Sequence, residues 1–309
     1  MKETTIRFMQ DFRCIADRCR HSCCIGWEID IDEDSLAYYE SIPGEFGKRL
    51  AKNIAKEEDC AHFCLDQHER CPFLNQNGLC DIYSTLGEEA LCEICTEHPR
   101  FRNYIADNCE VGIGLCCEAA AQLILTQTQK WETVTLWEDE DETEEENAFA
   151  AWLLALRQKL FAILQSGTDT AVAAEQMIEA VGVTLPTCDI AQTLLGLERL
   201  DGAWDEYLFS IAAADTCLWE KDVPAFDNAF RNLLLYFLYR HLPSAENGEQ
   251  ARARVGFAYL AYRVIRAICA QKKICSFEDL LEIARLYSAE IEYSEDNTAA
   301  LLALWEEET

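Results

Sequence analysis

The chain has 309 residues, which at roughly 100–200 residues per domain allows one large domain or two modest ones. Half of it is apolar, enough for a core that needs no covalent staples. Asp and Glu number 56 against 26 Lys and Arg. The formal charge of −30 argues against nucleic acid or an anionic membrane surface as the main partner. It suits a basic, lysine-bearing partner protein.

Cysteine is the compositional anomaly. There are 17, an odd number that cannot all pair within one chain. Thirteen lie between Cys14 and Cys117, and the others are Cys188, Cys217, Cys269 and Cys275. Disulfide frameworks belong to small secreted chains that lack a core. The first residues, MKETTIRFMQDFRC, carry charge and no apolar signal-peptide stretch. The longest aliphatic–aromatic run, Leu233 to Tyr239, is far short of the ~20 residues of a membrane span. The expectation is a soluble cytoplasmic protein whose thiols are reduced, with the crowded N-terminal ones acting as metal ligands.

In chain order, residues 1–128 form the cysteine-rich region. Its loop signals are Pro43-Gly44, Asn75 to Gly78, and Gly112 with Gly114. Residues 129–147 read as an acidic linker, because 138–146 is EDEDETEEE, eight acids in nine positions. Residues 148–309 are helical by periodicity. Phe149, Trp152, Leu153, Leu156, Leu160, Phe161 and Leu164 form one stripe, stopped by Gly167. Phe226, Phe230, Leu233, Leu234, Phe237 and Leu238 form a second, between Pro224 and Pro243. Val255 to Ile268 carries a third, and Ser276 with Asp279 resembles a capping box before Leu280. Segments near 171–181, 189–200 and 203–220 read as helices too. The expected fold is mainly α: a cysteine-rich metal-binding N-terminal region packed on a C-terminal helical bundle.

The cysteines fall into five groups: Cys14-x4-Cys19-x3-Cys23-Cys24; Cys60-x3-Cys64; Cys71-Pro72 leading to Cys80; Cys92-x2-Cys95 before His98-Pro99-Arg100; and Cys109, Cys116 and Cys117. Adjacent Cys23 and Cys24 are expected to point different ways. Tetrahedral zinc and a 4Fe-4S cluster both take such thiols. The absence of the regular CxxC…CxxC pairing of zinc ribbons tilts the choice towards iron–sulfur. Cys188, Cys217, Cys269 and Cys275 lie within helical patterns and read as buried free thiols. The CxxxCxxC loop of radical chemistry is absent, since Gly26 and Gln67 stand where its third cysteine would be. Val111-Gly112-Ile113-Gly114 reads as a tight turn placing Cys116, not as a dinucleotide loop.

Two stretches carry a resemblance. Phe12-Arg13-Cys14 through Cys23-Cys24-Ile25-Gly26-Trp27-Glu28-Ile29-Asp30-Ile31-Asp32 is one. Arg70-Cys71-Pro72-Phe73-Leu74 through Gly78-Leu79-Cys80-Asp81-Ile82-Tyr83 to Cys92 and Pro99-Arg100 is the other. Together they resemble the flagellin lysine-N-methylase family, and the second also resembles a broader group of cysteine-cluster proteins. The resemblance implies methylation of lysine side chains on flagellin, with S-adenosylmethionine as donor and an iron–sulfur cluster in the enzyme.

Methyl transfer to an amine needs a neutral lysine, an in-line approach and a surround that tolerates the donor's positive charge. Asp30, Asp32 and Tyr239 are the candidate catalytic groups. Trp27, Arg100, Tyr236 and Arg240 are the candidate donor-binding groups. Cys19, Cys23, Cys71, Cys80, Cys92 and Cys95 are the candidate ligands. Each has a plainer alternative: a core tryptophan, a helix-capping aspartate, aromatic and basic residues at a core edge (with Tyr259, Tyr262 and Arg263), or a structural ion pair. The competing function is a metal-binding or redox module, with iron–sulfur or zinc and no methyltransferase activity.

Overall fold

The computed structural model describes residues 1–57, 60–138, 147–186, 188–213 and 226–305. These are mainly helical. Their strands are β1 (Lys2–Ile6), β2 (Asp30–Ile31), β3 (Ile54–Lys56), β4 (Ala61–Phe63), β5 (Arg100–Ile105), β6 (Asn108–Ile113) and β7 (Thr133–Glu138). The chain divides into two compact units: Arg13–Arg100, and Met1–Phe12 with Phe101–Thr309. Composition placed the boundary near residue 128. The structure places the later one at Arg100, because residues 2–6 and 101–138 build one sheet.

The smaller unit holds α1 (Glu33–Ser41), α2 (Gly44–Lys52), α3 (Asp81–Leu86) and α4 (Glu93–Glu97) beside a three-stranded sheet of order β2-β4-β3. Asp32 caps α1, its carboxylate accepting Ser35 N–H at 2.9 Å. The expected turn at Asn75 to Gly78 forms. The Asn75 side chain accepts the N–H groups of Asn77 (2.9 Å) and Leu79 (3.1 Å), and Gly78 takes φ +75°. That turn lets Leu74 and Cys80 bridge back to back. The unit has its own core, in which Phe63, Phe73, Tyr39 and Leu50 are nearly fully buried. Cys71 and Cys92 belong to that core.

The larger unit holds α5 (Glu118–Leu125), α6 (Ala148–Leu164), α7 (Thr170–Glu179), α8 (Ile190–Leu195), α9 (Ala203–Ala212), α10 (Asp227–His241), α11 (Gly248–Lys272), α12 (Phe277–Tyr287) and α13 (Glu295–Leu302). The stripes of α10 and α11 are buried as their periodicity requires, and every residue from Leu233 to Tyr239 is in the core. Asn247 caps α11, and Lys273 in the left-handed region ends it. Ser276 caps α12: its hydroxyl accepts Asp279 N–H at 3.2 Å and donates to the Asp279 carboxylate at 2.6 Å. A π-helical turn, Ser288–Glu292, follows α12. Such turns interrupt the regular ladder and re-aim side chains. No described helix is long and apolar enough to cross a membrane.

The sheet runs β5-β6-β1-β7, with β1 parallel to β6 and antiparallel to β7. Two expectations change here. Val111 to Ile113 is the end of β6, not a turn. Gly112 is needed because a Cβ there would lie 2.2 Å from the ring of Phe101. Within the expected linker, residues 133–138 form β7. The acidic run from 139 to 146 lies outside the described residues, as do Cys217, Pro224 and most of the stretch expected to extend a helix to 220. Trp152, expected on the core stripe of α6, is 45% exposed.

Candidate functional site

The described cysteines are all free thiols. In the smaller unit, hydrogen bonding brings two distant segments together. Cys71 N–H donates to Cys24 O at 2.8 Å, and Ile25 bridges Arg70. The thiols of Cys23, Cys24, Cys71, Cys80, Cys92 and Cys95 thereby share one electrostatic neighbourhood. A hydrogen bond with Cys23 lowers Cys24 to about 7 against its burial, helped by the Ser22 hydroxyl and the Arg70 cation. Burial pushes Cys71 up to about 12, against the opposing effect of the Phe73 and Leu74 backbone. Cys80 stands at the N-cap position of α3 with no side-chain cap hydrogen bond, and burial raises its thiol. Cys92 stands at the N-cap position of α4, likewise without a side-chain cap; its thiol is lowered by Cys95, whose own thiol is driven up.

Five of the six expected ligands thus gather, with Cys24 beside them. Cys19 is half-buried and follows a short 3-10 turn, Ala16–Arg18. Cys23 and Cys24, expected to point different ways, are both half-buried, and Cys23 bears on the titration of Cys24. Cys60 and Cys64 are exposed. Among the described residues, no three His, Cys, Asp or Glu side chains are arranged to hold a metal ion. The donor chemistry nevertheless fits a thiophilic centre. The thiols of these residues lie close enough to shift one another's titration, and thiolate sulfur is a ligand for both zinc and iron–sulfur centres.

The acids and aromatics of the first motif lie in the same unit. The second oxygen of Asp32 accepts Glu93 N–H at 2.8 Å, so this carboxylate caps both α1 and α4. Burial raises it, but these N–H groups outweigh burial and hold it below the usual carboxylate range. Asp30 is exposed on β2, opposite His62 of β4. Trp27 is half-buried and tilted against His98 at 6.5 Å. Burial lowers His98 to about 4, so its ring is neutral at physiological pH. Arg100 is exposed and donates to Thr96 O at 3.1 Å.

The larger unit buries a polar network beneath its π-helical turn. Glu292 takes His241 Nε2 at 2.6 Å and Arg240 Nε at 3.2 Å on one oxygen, and the Tyr236 hydroxyl at 3.1 Å on the other. The Tyr236 oxygen in turn accepts Leu115 N–H and Arg240 Nη1. Arg240 lies over the rings of Phe101 (4.8 Å) and Tyr293 (4.7 Å). Burial opposes the Arg240 charge, yet Tyr236 and Glu292 keep it protonated. His241 is lowered by burial and stays neutral. Nearby, the fully buried Tyr239 hydroxyl donates to Val111 O at 3.1 Å, and the buried Arg157–Glu110 pair packs on its ring. Tyr239 is raised by burial, so it holds its proton. Tyr259 and Tyr262 accept Arg263 and Arg266 at 2.8 and 2.7 Å. Of the thiols expected to be buried, Cys269 is; Cys188 and Cys275 are exposed.

Tyr236 and Arg240, expected at the donor site, stand in this buried network, whose Glu292 and His241 the sequence did not single out, nor the Glu110–Arg157 pair beside it. No local signal marks Glu292, which stands in the mixed stretch Ser288-Ala289-Glu290-Ile291-Glu292-Tyr293-Ser294.

The smaller unit is therefore a cysteine-cluster module, inserted in sequence into a helical and sheet body. Compared with known proteins, the chain is 27% identical over 134 residues to Lysine-N-methylases of Salmonella choleraesuis (strain SC-B67) and Salmonella typhimurium (strain LT2). It is 26% identical over 134 residues to the Flagellar biosynthetic protein FliU of Salmonella muenchen. These matches cover 40% of this chain, a third (33%) of each methylase and 79% of the FliU protein. Over that stretch the chain is similar to proteins named as lysine-N-methylases and as a flagellar biosynthetic protein, and it spans about a third of the length of the two methylases. No family model and no solved structure matches it.

Proposed function

We propose that the chain methylates lysine side chains on flagellin, with S-adenosylmethionine as methyl donor and a 4Fe-4S cluster on its thiols, zinc being the alternative metal. The observation that carries this is the gathering of Cys23, Cys24, Cys71, Cys80, Cys92 and Cys95 from the two stretches that resemble the family. The choice of substrate is supported by relatives named as lysine methylases and as a flagellar biosynthetic protein. A bound cluster would supply negative charge and cross-links between α3, α4 and the Cys23-Cys24 segment.

In the transfer, the bond from sulfonium sulfur to methyl carbon breaks and the bond from lysine nitrogen to that carbon forms. The amine must be neutral before attack and loses a proton overall. Asp30, exposed on β2, is the carboxylate we assign to orient the amine and take its proton. Trp27 and Arg100 are assigned to the donor, as an aromatic wall beside its cation and a partner for its carboxylate. Asp32 holds the scaffold, and Tyr236, Tyr239 and Arg240 hold the core of the larger unit.

Anaerobically purified protein would be assayed for iron, zinc and visible absorption, and titrated with S-adenosylmethionine by calorimetry. Flagellin incubated with both would be weighed by mass spectrometry. Donor binding and successive methyl increments on lysines are expected. Metal without donor binding would leave the metal-binding or redox module as the function.

A further inference from the structure

Helix α1 grips the segment around Cys92 from both sides. At the start of the helix the Asp32 carboxylate accepts Glu93 N–H at 2.8 Å, one residue after Cys92. Near its end the Tyr39 hydroxyl donates to Ala90 O at 2.7 Å, two residues before Cys92. Asp32 and Tyr39 stand about two helical turns apart, and so on one face of α1. Tyr39 is only 2% exposed, and Phe63 packs against its ring at 6.0 Å. Ala90 and Cys92 are buried beside it in the core of the smaller unit. A carbonyl in that position has no water to turn to, so it depends on this donor. Burial first, and then the charges of Cys92, Cys95 and Cys80, push the Tyr39 phenol upward. It therefore keeps its proton and remains a donor.

We propose that Tyr39 is a positioning residue for the metal centre: with Asp32 it holds residues 90–93 so that Cys92 and Cys95 are aimed before metal arrives. Its role towards metal rests on the binding proposed above; the grip on residues 90–93 belongs to the folded chain itself. A ligand already held in place gives up little freedom when it coordinates, so the metal leaves slowly. Outer partners of this kind are worth roughly 10–100-fold in metal affinity. In Tyr39→Phe the ring stays and only the hydroxyl is lost. Ala90 O is then buried without its donor, and the segment that carries Cys92 loosens.

The test uses the full chain without methyl donor, loaded with zinc alone in one series and with iron and sulfide in another. A chromophoric chelator then draws the metal out. Tyr39→Phe is expected to release it about tenfold faster than the parent. Tyr38→Phe removes the hydroxyl of the neighbouring, exposed tyrosine and is expected to release it at the parent rate. Leu50→Val thins the same core from α2 and separates general loosening from positioning. It is expected to lower the urea midpoint more than Tyr39→Phe does, yet to hold metal longer. Amide exchange of the metal-free protein gives a second reading: exchange at Glu93 should quicken in Tyr39→Phe and not in Tyr38→Phe. Release that merely follows the urea midpoint across the three variants, or unchanged Glu93 exchange in Tyr39→Phe, overturns the proposal. A parent that holds neither zinc nor iron overturns the metal reading and the proposal with it. A parent that holds metal while Tyr39→Phe keeps it equally long overturns the proposal alone.

Discussion

Asp32 and Glu93 stand 61 positions apart, yet the carboxylate of one accepts the backbone N–H of the other at 2.8 Å. The same side chain caps α1 through Ser35, so one residue ties the first motif to the segment that presents Cys92 and Cys95. Asp32→Ala is expected to remove two caps and cost about 1–2 kcal/mol of stability. Urea denaturation of the purified protein checks this. Asp32→Asn, which keeps an accepting oxygen, should recover much of the loss.

Acid should weaken the smaller unit in two stages. His98 has a folded value of about 4, below the ordinary histidine value near 6.5. Between these, the unfolded chain binds the extra proton, so stability is fully present above about 6.5 and falls as pH drops towards 4. Asp32 is also depressed, so its contribution is present above the ordinary aspartate value near 3.9 and is lost as pH falls further. His98→Gln should flatten the upper stage and leave the lower one. A denaturation series across pH in both proteins reads the difference.

The thiols predict a metal pattern. Cys71→Ser and Cys80→Ser should each lower bound metal sharply, because both sulfurs lie among the clustered thiols. Cys269→Ser should leave metal content unchanged and cost modest stability, since that thiol is buried in α11. Elemental analysis of the three variants beside the parent decides. Full metal in both of the first two would remove Cys71 and Cys80 from the ligand set.

Glu292 is fully buried between Arg240 and His241. Glu292→Gln leaves the Arg240 charge without its counter-ion and should cost about 3–5 kcal/mol. Replacing Arg240 by Met in the same chain should give back part of that loss, because no lone charge is then left behind. A double-mutant cycle by chemical denaturation measures the coupling.

These residues also show what a sequence can and cannot reveal. The helices α10, α11 and α12 were legible, because apolar spacing, Asn or Ser caps and stop signals all act within a few residues. The concentration of thiols in the first third was legible from composition, but the joining of Cys23-Cys24 to the Cys71–Cys95 stretch is a tertiary choice that spacing does not reveal. The parallel pairing of Thr4 with Glu110 was not legible either. KETTI has no long alternation of its own, and a register set by a partner a hundred residues away leaves no local mark. Gly112 read as a turn because only the approaching Phe101 ring explains why a strand would lack a Cβ there. The Glu292–His241 contact is likewise a tertiary choice, 51 positions apart.

The place of β1 has a consequence for synthesis on the ribosome. Lys2 to Thr5 form an inner strand whose parallel partner, Asn108 to Val111, follows the whole thiol-bearing insert. At roughly 5–20 residues per second, the leading strand waits on the order of ten seconds for that partner to emerge. The cysteines of the cluster, Cys23 to Cys95, are all made before that partner strand, so the insert can begin to fold before the sheet of the other unit can form.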